Sequence, residues 1–298
     1  MAFIFLLLLA ASPFVQSTTS AKRGLCYIPN PDFPKDNDVW DSSSSDLTWY
    51  YNYGPSPNYN GNDLEFVPML WGNESDDSFL TTVSNLIEGG TKINYAMGFN
   101  EPDSAENGGS GVAAEDAAAT WIRLMEPLRE KYQVKLGAPA VTGSPDGFTW
   151  LQNFFTACNG GCHPEFIAVH WYGNFEGLAS HIGQVNATYM NMTTWVTEFG
   201  LANGELNDTQ TFYNMSTEYL DRLEYVDRYA YFGAFRSSVS NVGPNPAMLN
   251  QNGQLTDIGS WYLGGSATGT VPGAASNLQL STFLSWVVLA IFVLAWWA

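Results

Sequence analysis

Residues 97–102 read Met-Gly-Phe-Asn-Glu-Pro, and residues 195–200 read Trp-Val-Thr-Glu-Phe-Gly. Each stretch closes an apolar run typical of a buried strand, and each places a glutamate, Glu101 or Glu198, at the end of that run. The carboxyl ends of parallel strands in a closed barrel meet at one face of the molecule. We therefore expect the two carboxylates to lie close together over the mouth of a barrel.

The rest of the chain repeats this alternation of short apolar runs and longer amphipathic stretches. The amphipathic stretches are clearest at residues 113–131, 149–157 and 208–225, where the apolar spacing predicts helices. Strands that alternate with helices favour a parallel sheet, and eight of them predict an α/β fold closed into a (β/α)8 TIM barrel. An open doubly wound sheet is the alternative, although no Gly-x-Gly-x-x-Gly motif or phosphate-binding loop follows an early strand. The predicted strands are residues 24–28, 47–51, 66–70, 95–99, 135–138, 166–170, 195–198 and 229–232.

The amino-terminal segment is apolar. Residues 3–11 are too short to span a bilayer, and residues 15–17 offer a small-residue cleavage site. This pattern predicts a signal peptide at residues 1–17, with an uncleaved anchor as the alternative because no basic residue precedes the apolar run. A single globular domain is predicted at residues 22–265, since no linker or repeat interrupts it.

A second apolar run occupies residues 278–298, and no Lys or Arg follows it. Residues 266–277 form a linker of small residues before it, with 273–277 favoured as an attachment region. Small residues, a short spacer and a terminal apolar tail are typical of a GPI signal whose tail is removed. We therefore predict a GPI-anchored protein at the cell surface or cell wall, with a transmembrane tail as the alternative.

Other features agree with secretion. Cys158 and Cys162 are spaced to close a small surface disulfide across two glycines, and Cys26 is left as a buried thiol. A metal site at Cys158, Cys162 and His163 is poorly supported because no fourth ligand is visible at a suitable spacing. Five sequons predict N-glycosylation, at Asn73, Asn186, Asn191, Asn207 and Asn214.

The composition restricts the class of partner. The formal net charge is −18, from 29 acidic and 11 basic residues, which argues against nucleic acid as a ligand. Neutral sugar polymers need no basic surface, and aromatic side chains can stack on sugar rings, although most aromatics here are expected to fill the core. About 255 residues remain once both ends are removed, which is close to the usual size of a TIM barrel. No cofactor is predicted.

Residues at the predicted strand ends are the candidates for function. Trp121 and Trp150 fall on predicted helices and are expected to pack, Glu65 begins a strand and so belongs to the opposite face, and Asp103 is expected to cap a loop. His170 fits a structural role as well as a functional one. The candidates for binding the substrate are Tyr27, Trp49, Tyr51, Trp71, Asn100, His170, Trp171, Tyr172 and Arg236.

The paired glutamates suggest cleavage of a glycosidic bond. This reaction needs one carboxylic acid that protonates the leaving oxygen and a second carboxylate that acts on the other side of the bond. Glu101 is the candidate acid/base and Glu198 the candidate nucleophile, which needs donors such as Arg236, His170 or a tyrosine hydroxyl. Asn100 is expected to donate a hydrogen bond to the sugar 2-hydroxyl.

With these residues assembled, the sequence resembles glycoside hydrolase family 128, a family of fungal β-1,3-glucanases in a larger clan of (β/α)8 glycosidases. The resemblance covers roughly residues 23–264 and rests on an ordered set of motifs. It implies catalytic glutamates on strands 4 and 7, matching Glu101 as acid/base and Glu198 as nucleophile, and a curved glucan cleft shaped by Trp71 and Trp171. The motifs are residues 69–72 (Met-Leu-Trp-Gly), 98–103, 170–172, 197–200 and 255–262.

These observations predict a retaining β-1,3-glucanase, a monomer that acts on β-1,3-glucan or its oligosaccharides in the fungal cell wall. Two alternatives remain. A glucan-binding protein or a wall-remodelling transglycosylase would use the same residues with little net hydrolysis, and another β-glycan, such as β-1,4-mannan or cellulose, could be the substrate.

Overall fold

A computed structural model of the protein describes residues 20–41, 45–59, 61 and 64–273. The predicted signal peptide, the predicted carboxyl-terminal tail and residues 274–277 of the proposed attachment region lie outside the described residues.

The described chain alternates strands with helices, as the sequence pattern predicts. The strands are β1 (Arg23–Cys26), β2 (Trp49–Tyr51), β3 (Glu65–Phe66), β4 (Tyr95–Met97), β5 (Lys135–Val141), β6 (Phe166–Tyr172), β7 (Thr193–Gly200) and β8 (Val226–Tyr231). The α-helices are α1 (Ser78–Glu88), α2 (Ala114–Leu124), α3 (Glu126–Tyr132), α4 (Pro145–Cys158), α5 (Phe175–Thr188), α6 (Leu206–Arg222) and α7 (Asp257–Tyr262). Two 3₁₀ helices span Pro34–Trp40 and Ser237–Val239.

The eight strands form one parallel sheet in the order β3-β2-β1-β8-β7-β6-β5-β4. Its two edges meet where Met69 pairs with Met97 in parallel. The amide of Met97 donates to the Pro68 carbonyl at 2.9 Å, and the amide of Leu70 donates to the Met97 carbonyl at 3.0 Å. The sheet therefore closes, and the predicted (β/α)8 barrel is confirmed.

The helix predicted at residues 113–131 is wrong in one respect, because the chain forms two helices there. The first ends with Met125 as its cap, and Pro127 lies in the first turn of the second. Proline lacks an amide proton and is tolerated only in the first turn of a helix, so a new helix starts where an unbroken one would lose a hydrogen bond.

The disulfide prediction is confirmed, since Cys158 at the end of α4 is bonded to Cys162. With both sulfurs used in this bond, the weak metal hypothesis for this pair is removed. Cys26 is a buried free thiol, as expected.

The amino-terminal end of the barrel is filled by aromatic rings packed around a cation. The Arg228 guanidinium lies 5.5 Å from the Trp49 ring, 4.5 Å from that of Tyr95 and 4.6 Å from that of Trp195. It also pairs with Glu65, which is therefore a structural residue at the end of the barrel opposite the cavity described below. These side chains fill the amino-terminal end of the barrel, whereas a cavity opens at the carboxyl ends of the strands.

The asparagines of the five sequons differ in their exposure to solvent. Asn73, Asn191 and Asn207 are exposed, whereas Asn186 and Asn214 are half-buried. Their glycosylation stays a prediction. Within the part of the chain that the structure describes, we find no helix with the length and apolar character needed to cross a membrane.

Candidate active site

A cavity of about 820 Å³ opens at the carboxyl ends of the strands. Every strand or the loop that follows it supplies part of the wall, which is the expected arrangement for the functional face of such a barrel. One lining residue from each strand, taken from β1 to β8, is Ile28, Tyr53, Trp71, Glu101, Thr142, Trp171, Glu198 and Phe232.

Glu101 and Glu198 face each other in this cavity. His170 on β6 lies beside Glu198 on β7 in the strand register, and its Nδ1 is 3.5 Å from Glu198 Oε2. The same nitrogen is 3.0 Å from Glu101 Oε1. One oxygen of each glutamate and a His170 nitrogen all lie within 4.8 Å of one another. The structure thus brings together two carboxylates that are far apart in sequence.

Glu101 sits on a strained and braced turn. Its φ of 40° is in the left-handed region, which costs a non-glycine residue on the order of 1–3 kcal/mol and persists only where the surroundings enforce it. The Glu101 amide donates to the Ala140 carbonyl at 2.7 Å. Asp103 accepts hydrogen bonds from the amide and hydroxyl of Thr142, at 3.0 and 2.5 Å. Asp103 therefore fixes the loop that carries Glu101, in keeping with its predicted role.

Glu198 is held by tyrosine hydroxyls. Tyr53 donates to Oε1 at 2.7 Å and Tyr172 donates to Oε2 at 2.6 Å, while Tyr51 lies 3.5 Å from Oε1. Burial, and next the negative charge of Glu198, raise the pKa of Tyr53 and of Tyr172 well above the usual range. Both phenols therefore keep their protons and remain hydrogen-bond donors to Glu198.

His170 is fully buried between the two glutamates. Burial by itself lowers the pKa of this histidine, but the charges of Glu198 and Glu101 and the hydrogen bond to Glu101 outweigh burial, so the pKa is raised from its usual value. The protonated ring is thus favoured by two negative neighbours. A functional histidine is the interpretation that this position supports.

Asn100 fixes the loop that follows β4. Its Nδ2 donates one of its two hydrogens to the Gly108 carbonyl at 3.0 Å, and the hydrogen bond from this amide to a sugar 2-hydroxyl stays a prediction. Its Oδ1 is buried and has no partner among the described residues. Asn100 lines the cavity, although this oxygen itself has almost no accessible surface.

Two tryptophans line the cavity in contrasting ways. Trp71 is 42% exposed at the rim. Trp171 is fixed by a hydrogen bond from its Nε1 to the Asn174 carbonyl at 3.0 Å. A Cβ at Gly143 or Gly177 would stand 2.6 or 2.2 Å from the Trp171 ring, so only glycine allows this close packing. The Trp171 ring is therefore held in a fixed orientation, whereas the Trp71 ring is exposed to solvent.

Five of the nine predicted substrate-binding residues are not among those that line the cavity: Tyr27, Trp49, Tyr51, His170 and Arg236. Tyr27 is buried against the rings of Tyr50 and Tyr59, with centroids 6.1 and 5.2 Å away. Trp49 is fully buried in the amino-terminal packing, because it begins β2 and so lies at the far end of the strand from the cavity.

Arg236 does not reach Glu198. Its guanidinium instead binds Asp36 through Nε at 2.5 Å and Nη2 at 2.7 Å.

Tyr51 is buried below the cavity floor, where its hydroxyl donates to the Thr197 carbonyl at 2.9 Å and lies 3.2 Å from the Cys26 sulfur. Tyr51 thus supports the strand that carries Glu198 and does not line the cavity.

Our sequence reasoning missed Tyr53, the tyrosine closest to Glu198 on the β2 side. Tyr53 lies two residues beyond the end of β2 and has a φ of 61°, so the alternation of side chains along a strand gave no signal for it. Ile28, Asn203 and Val242 also line the cavity, but they come from loops whose course the sequence does not reveal.

Glu101, His170 and Glu198 are also the described residues whose donor atoms are close enough to bind a metal ion. Their present partners favour another use. The phenol hydroxyls of Tyr53 and Tyr172 occupy one lone pair on each oxygen of Glu198, and His170 binds Glu101. A carboxylate held by donors and a second carboxyl group beside it suit acid–base and nucleophilic chemistry.

Comparison with known proteins identifies the family. The family model described as the glycosyl hydrolase catalytic core matches residues 24–262. A curated relative, alkali-sensitive linkage protein 1 of Schizosaccharomyces pombe, is 33% identical over 256 residues, which cover 83% of this chain and 45% of that protein. The chain thus spans about half the length of this relative.

Solved structures agree with the family match. A curdlan-specific exo-β-1,3-glucanase of family 128 from Blastomyces gilchristii, in complex with glucose, is 29% identical with a TM-score of 0.67, covering 83% of this chain and 99% of that one. An oligosaccharide-binding protein of family 128 from Cryptococcus neoformans has 24% identity and a TM-score of 0.65, covering 85% of this chain and 97% of its own. This chain belongs to glycoside hydrolase family 128.

Proposed function

We propose that the protein is a retaining glycoside hydrolase that cleaves β-1,3-glucan, with Glu101 as acid/base and Glu198 as nucleophile. The separation of the two glutamates carries this proposal. Retaining enzymes hold their carboxyl groups roughly 5–5.5 Å apart, whereas inverting enzymes leave about 6.5–9.5 Å for a water molecule. One oxygen of Glu101 and one of Glu198 lie within 4.8 Å of each other, and this close approach supports the retaining assignment.

The different surroundings of the glutamates support their separate roles. Both oxygens of Glu198 accept hydrogen bonds from phenols, which stabilises the ionised form that a nucleophile needs. Among the described residues, the Glu101 side chain has His170 as its one hydrogen-bonding partner, through Oε1. Its second oxygen is therefore available to carry a proton toward a leaving group in the cavity.

The proposed reaction has two steps. Glu101 donates its proton to the glycosidic oxygen while Glu198 attacks the anomeric carbon, which breaks the glycosidic bond and forms a glycosyl-enzyme ester. Glu101 then accepts a proton from water as the water oxygen attacks the same carbon, which releases Glu198. The raised pKa of His170 favours a cation beside both carboxyl groups as their charges change.

A neutral glucan is the substrate class that the cavity chemistry favours. The charged side chains in its wall are Glu101, Glu106 and Glu198, all acidic, so an anionic glycan would be repelled. The exposed ring of Trp71 and the fixed ring of Trp171 offer apolar faces for sugar rings. The family 128 relative from Blastomyces gilchristii is described as curdlan-specific, and we extend the β-1,3 linkage to this chain.

The experiment that tests this proposal is product analysis on laminari-oligosaccharides. Purified protein should shorten them and release sugars that start in the β configuration, as early proton NMR spectra would show. Glu101→Gln and Glu198→Gln should each abolish the reaction and leave the folded state intact. Initial release of the α-anomer, or full activity in either variant, would contradict the assignment.

A second candidate is a glucan-binding or transglycosylating protein with little hydrolysis. One family 128 structure is described as an oligosaccharide-binding protein, so the fold is compatible with binding alone. A glycosyl-enzyme ester can also react with a sugar hydroxyl instead of water. Longer products in the same assay would indicate transfer, and unchanged sugars with measurable affinity would indicate binding.

We further propose a secreted, N-glycosylated monomer held at the cell surface by a GPI anchor. The apolar segments at both ends and the five sequons support this location. Phosphatidylinositol-specific phospholipase C should release the protein from intact cells, and an endoglycosidase should lower its apparent mass. Retention on the membrane after the lipase would favour a transmembrane tail.

A further inference from the structure

A second groove, with a volume of about 610 Å³, lies on the outside of the barrel between α4 and α5. Three aromatic residues line it, Phe148, Phe155 and Tyr189, together with Gln152, Gln184 and three threonines. Nothing in the proposed reaction uses this groove, since its residues lie on the helices and not at the strand ends.

The groove is uncharged in a strongly acidic protein. No Asp, Glu, Lys or Arg lines it, although the chain carries 29 acidic and 11 basic residues. The side-chain amides of Gln152 and Gln184 have no hydrogen-bonding partner within the described ranges, and both side chains are exposed. Aromatic surface combined with free amide donors and acceptors suits a neutral ligand that presents both hydroxyl groups and apolar faces.

The groove is connected to the wall of the catalytic cavity. The Phe148 ring lies 5.3 Å from the ring of His181, which lies 5.4 Å from that of Trp171 in the cavity wall. Helix α4 also starts at Pro145, directly after Ser144, which lines the cavity. Ser144 in the cavity wall and Phe148 in the groove are therefore about one helical turn apart on the chain.

We propose that the groove between α4 and α5 is a second binding surface for the neutral glucan, which holds one part of a polymer while another part lies in the cavity. This inference rests on the proposed function, because it takes the same polymer as its ligand. The nearness of the groove to the cavity and its lack of charge favour this occupant. An N-glycan on Asn186, two residues before Thr188 in the groove, is the competing occupant.

Binding to insoluble β-1,3-glucan tests the proposal. The full chain carrying Glu198→Gln serves as the parent, so that the glucan particles are not degraded. Adding Gln152→Ala with Gln184→Ala should weaken binding to curdlan by about five- to a hundredfold, because two hydrogen bonds are lost and each contributes roughly 0.5–1.5 kcal/mol. These side chains are exposed, so the fold should not change, and Phe155→Ala provides a second variant.

Two controls separate the groove from general effects. Ile122→Ala removes a 43%-exposed apolar side chain from α2 and should leave curdlan binding unchanged. In the otherwise wild-type enzyme, the groove substitutions should leave kcat/KM on laminaritetraose unchanged, since a short sugar fills only the cavity.

The outcomes distinguish this inference from the proposed function. If the parent binds neither laminarihexaose nor curdlan, the proposed function fails. If it binds both and the groove variants match it on curdlan, the groove inference is overturned and the proposed function stands. A third outcome concerns the glycan. If the double variant no longer binds curdlan more weakly once Asn186→Gln is present in both proteins, the groove holds the protein's own glycan, and the inference is also overturned.

Discussion

The two ends of the barrel are both rich in aromatic residues, but one end is packed and the other forms an open site. At the amino-terminal end, the Trp195 ring packs on those of Trp49 and Phe166, beside the Arg228–Glu65 pair. At the carboxyl end, tyrosine hydroxyls surround a pair of acids below an open cavity. Aromatic residues serve packing at one end and hydrogen bonding at the other.

The two ends differ in the partners of their charged groups. The Arg228 charge is satisfied inside the barrel by Glu65 and by ring faces, so that end needs neither solvent nor ligand. The two carboxyl groups at the other end keep lone pairs directed toward the cavity. Stability should therefore depend mainly on the first end and activity on the second.

The largest expected effect is on activity, at the carboxyl end. Glu198→Gln should lower kcat on laminarin by on the order of 10⁴-fold, because the nucleophile is lost. The free energy of unfolding should stay the same or rise, since a buried negative charge is removed. Kinetics with parallel urea unfolding checks both parts, and a large loss of stability would break the contrast between the ends.

The reverse result is expected at the amino-terminal end. Trp195→Ala should lower the free energy of unfolding by about 3–5 kcal/mol, since it leaves a cavity among packed rings. The kcat of the protein that remains folded should change less than tenfold. Urea titration followed by fluorescence or circular dichroism measures the first effect, and active-site titration corrects the second for unfolded protein.

A smaller effect is expected at Tyr53. Tyr53→Phe removes a hydrogen bond to the charged Glu198, which contributes about 1.5–3 kcal/mol, and should lower kcat/KM by about ten- to a hundredfold. Tyr231→Phe is the matched control, because the buried Tyr231 hydroxyl has no partner in the described structure. Equal losses in the two variants would show that Tyr53 has no special role in positioning Glu198.

The smallest expected effect is the dependence of stability on pH, which should arise at the carboxyl end. The pKa of His170 is raised, so its contribution is complete below about pH 6.5 and is lost as pH rises through the raised pKa. Burial lowers the pKa of His181 to about 4, so its contribution is present above about pH 6.5 and is lost as pH falls toward 4.

Thermal unfolding across this range checks the two signs. His170→Gln should flatten the alkaline side of the stability profile, and His181→Gln should flatten the acidic side. Trp195→Ala should lower the whole curve without changing its shape, because no histidine of the three in the chain lies in that packing. A change on the same side in both histidine variants would contradict the opposite signs.

Much of the carboxyl end could be predicted from sequence. The run of apolar residues before each glutamate located Glu101 and Glu198 at strand ends, and barrel closure then required them to share one face. The prediction that Glu65 lies at the opposite end of the barrel was confirmed, whereas Tyr27, Trp49 and Tyr51, also chosen by strand position, do not line the cavity. The substrate-binding prediction for Trp49 was wrong because Trp49 is the first residue of β2. This strand has only three residues, so a small error in its predicted bounds places a residue at the wrong end of the barrel.

Arg236 shows where such reasoning stops. The sequence placed a cation near a strand end, and the nearest known negative charge in the argument was Glu198. In the folded chain Asp36, 200 residues earlier, is closer and forms the pair instead. Pairing between loops depends on their paths, which local patterns do not encode.

The sequence alone therefore determined the barrel, the two glutamates, the disulfide and the family, because each follows from local periodicity, spacing or an ordered set of motifs. The tertiary structure decided which donors hold Glu198, the orientation of the Asn100 amide and the uncharged groove between α4 and α5. These depend on distances of a few ångströms between side chains far apart in sequence, and only the closed and packed barrel sets those distances.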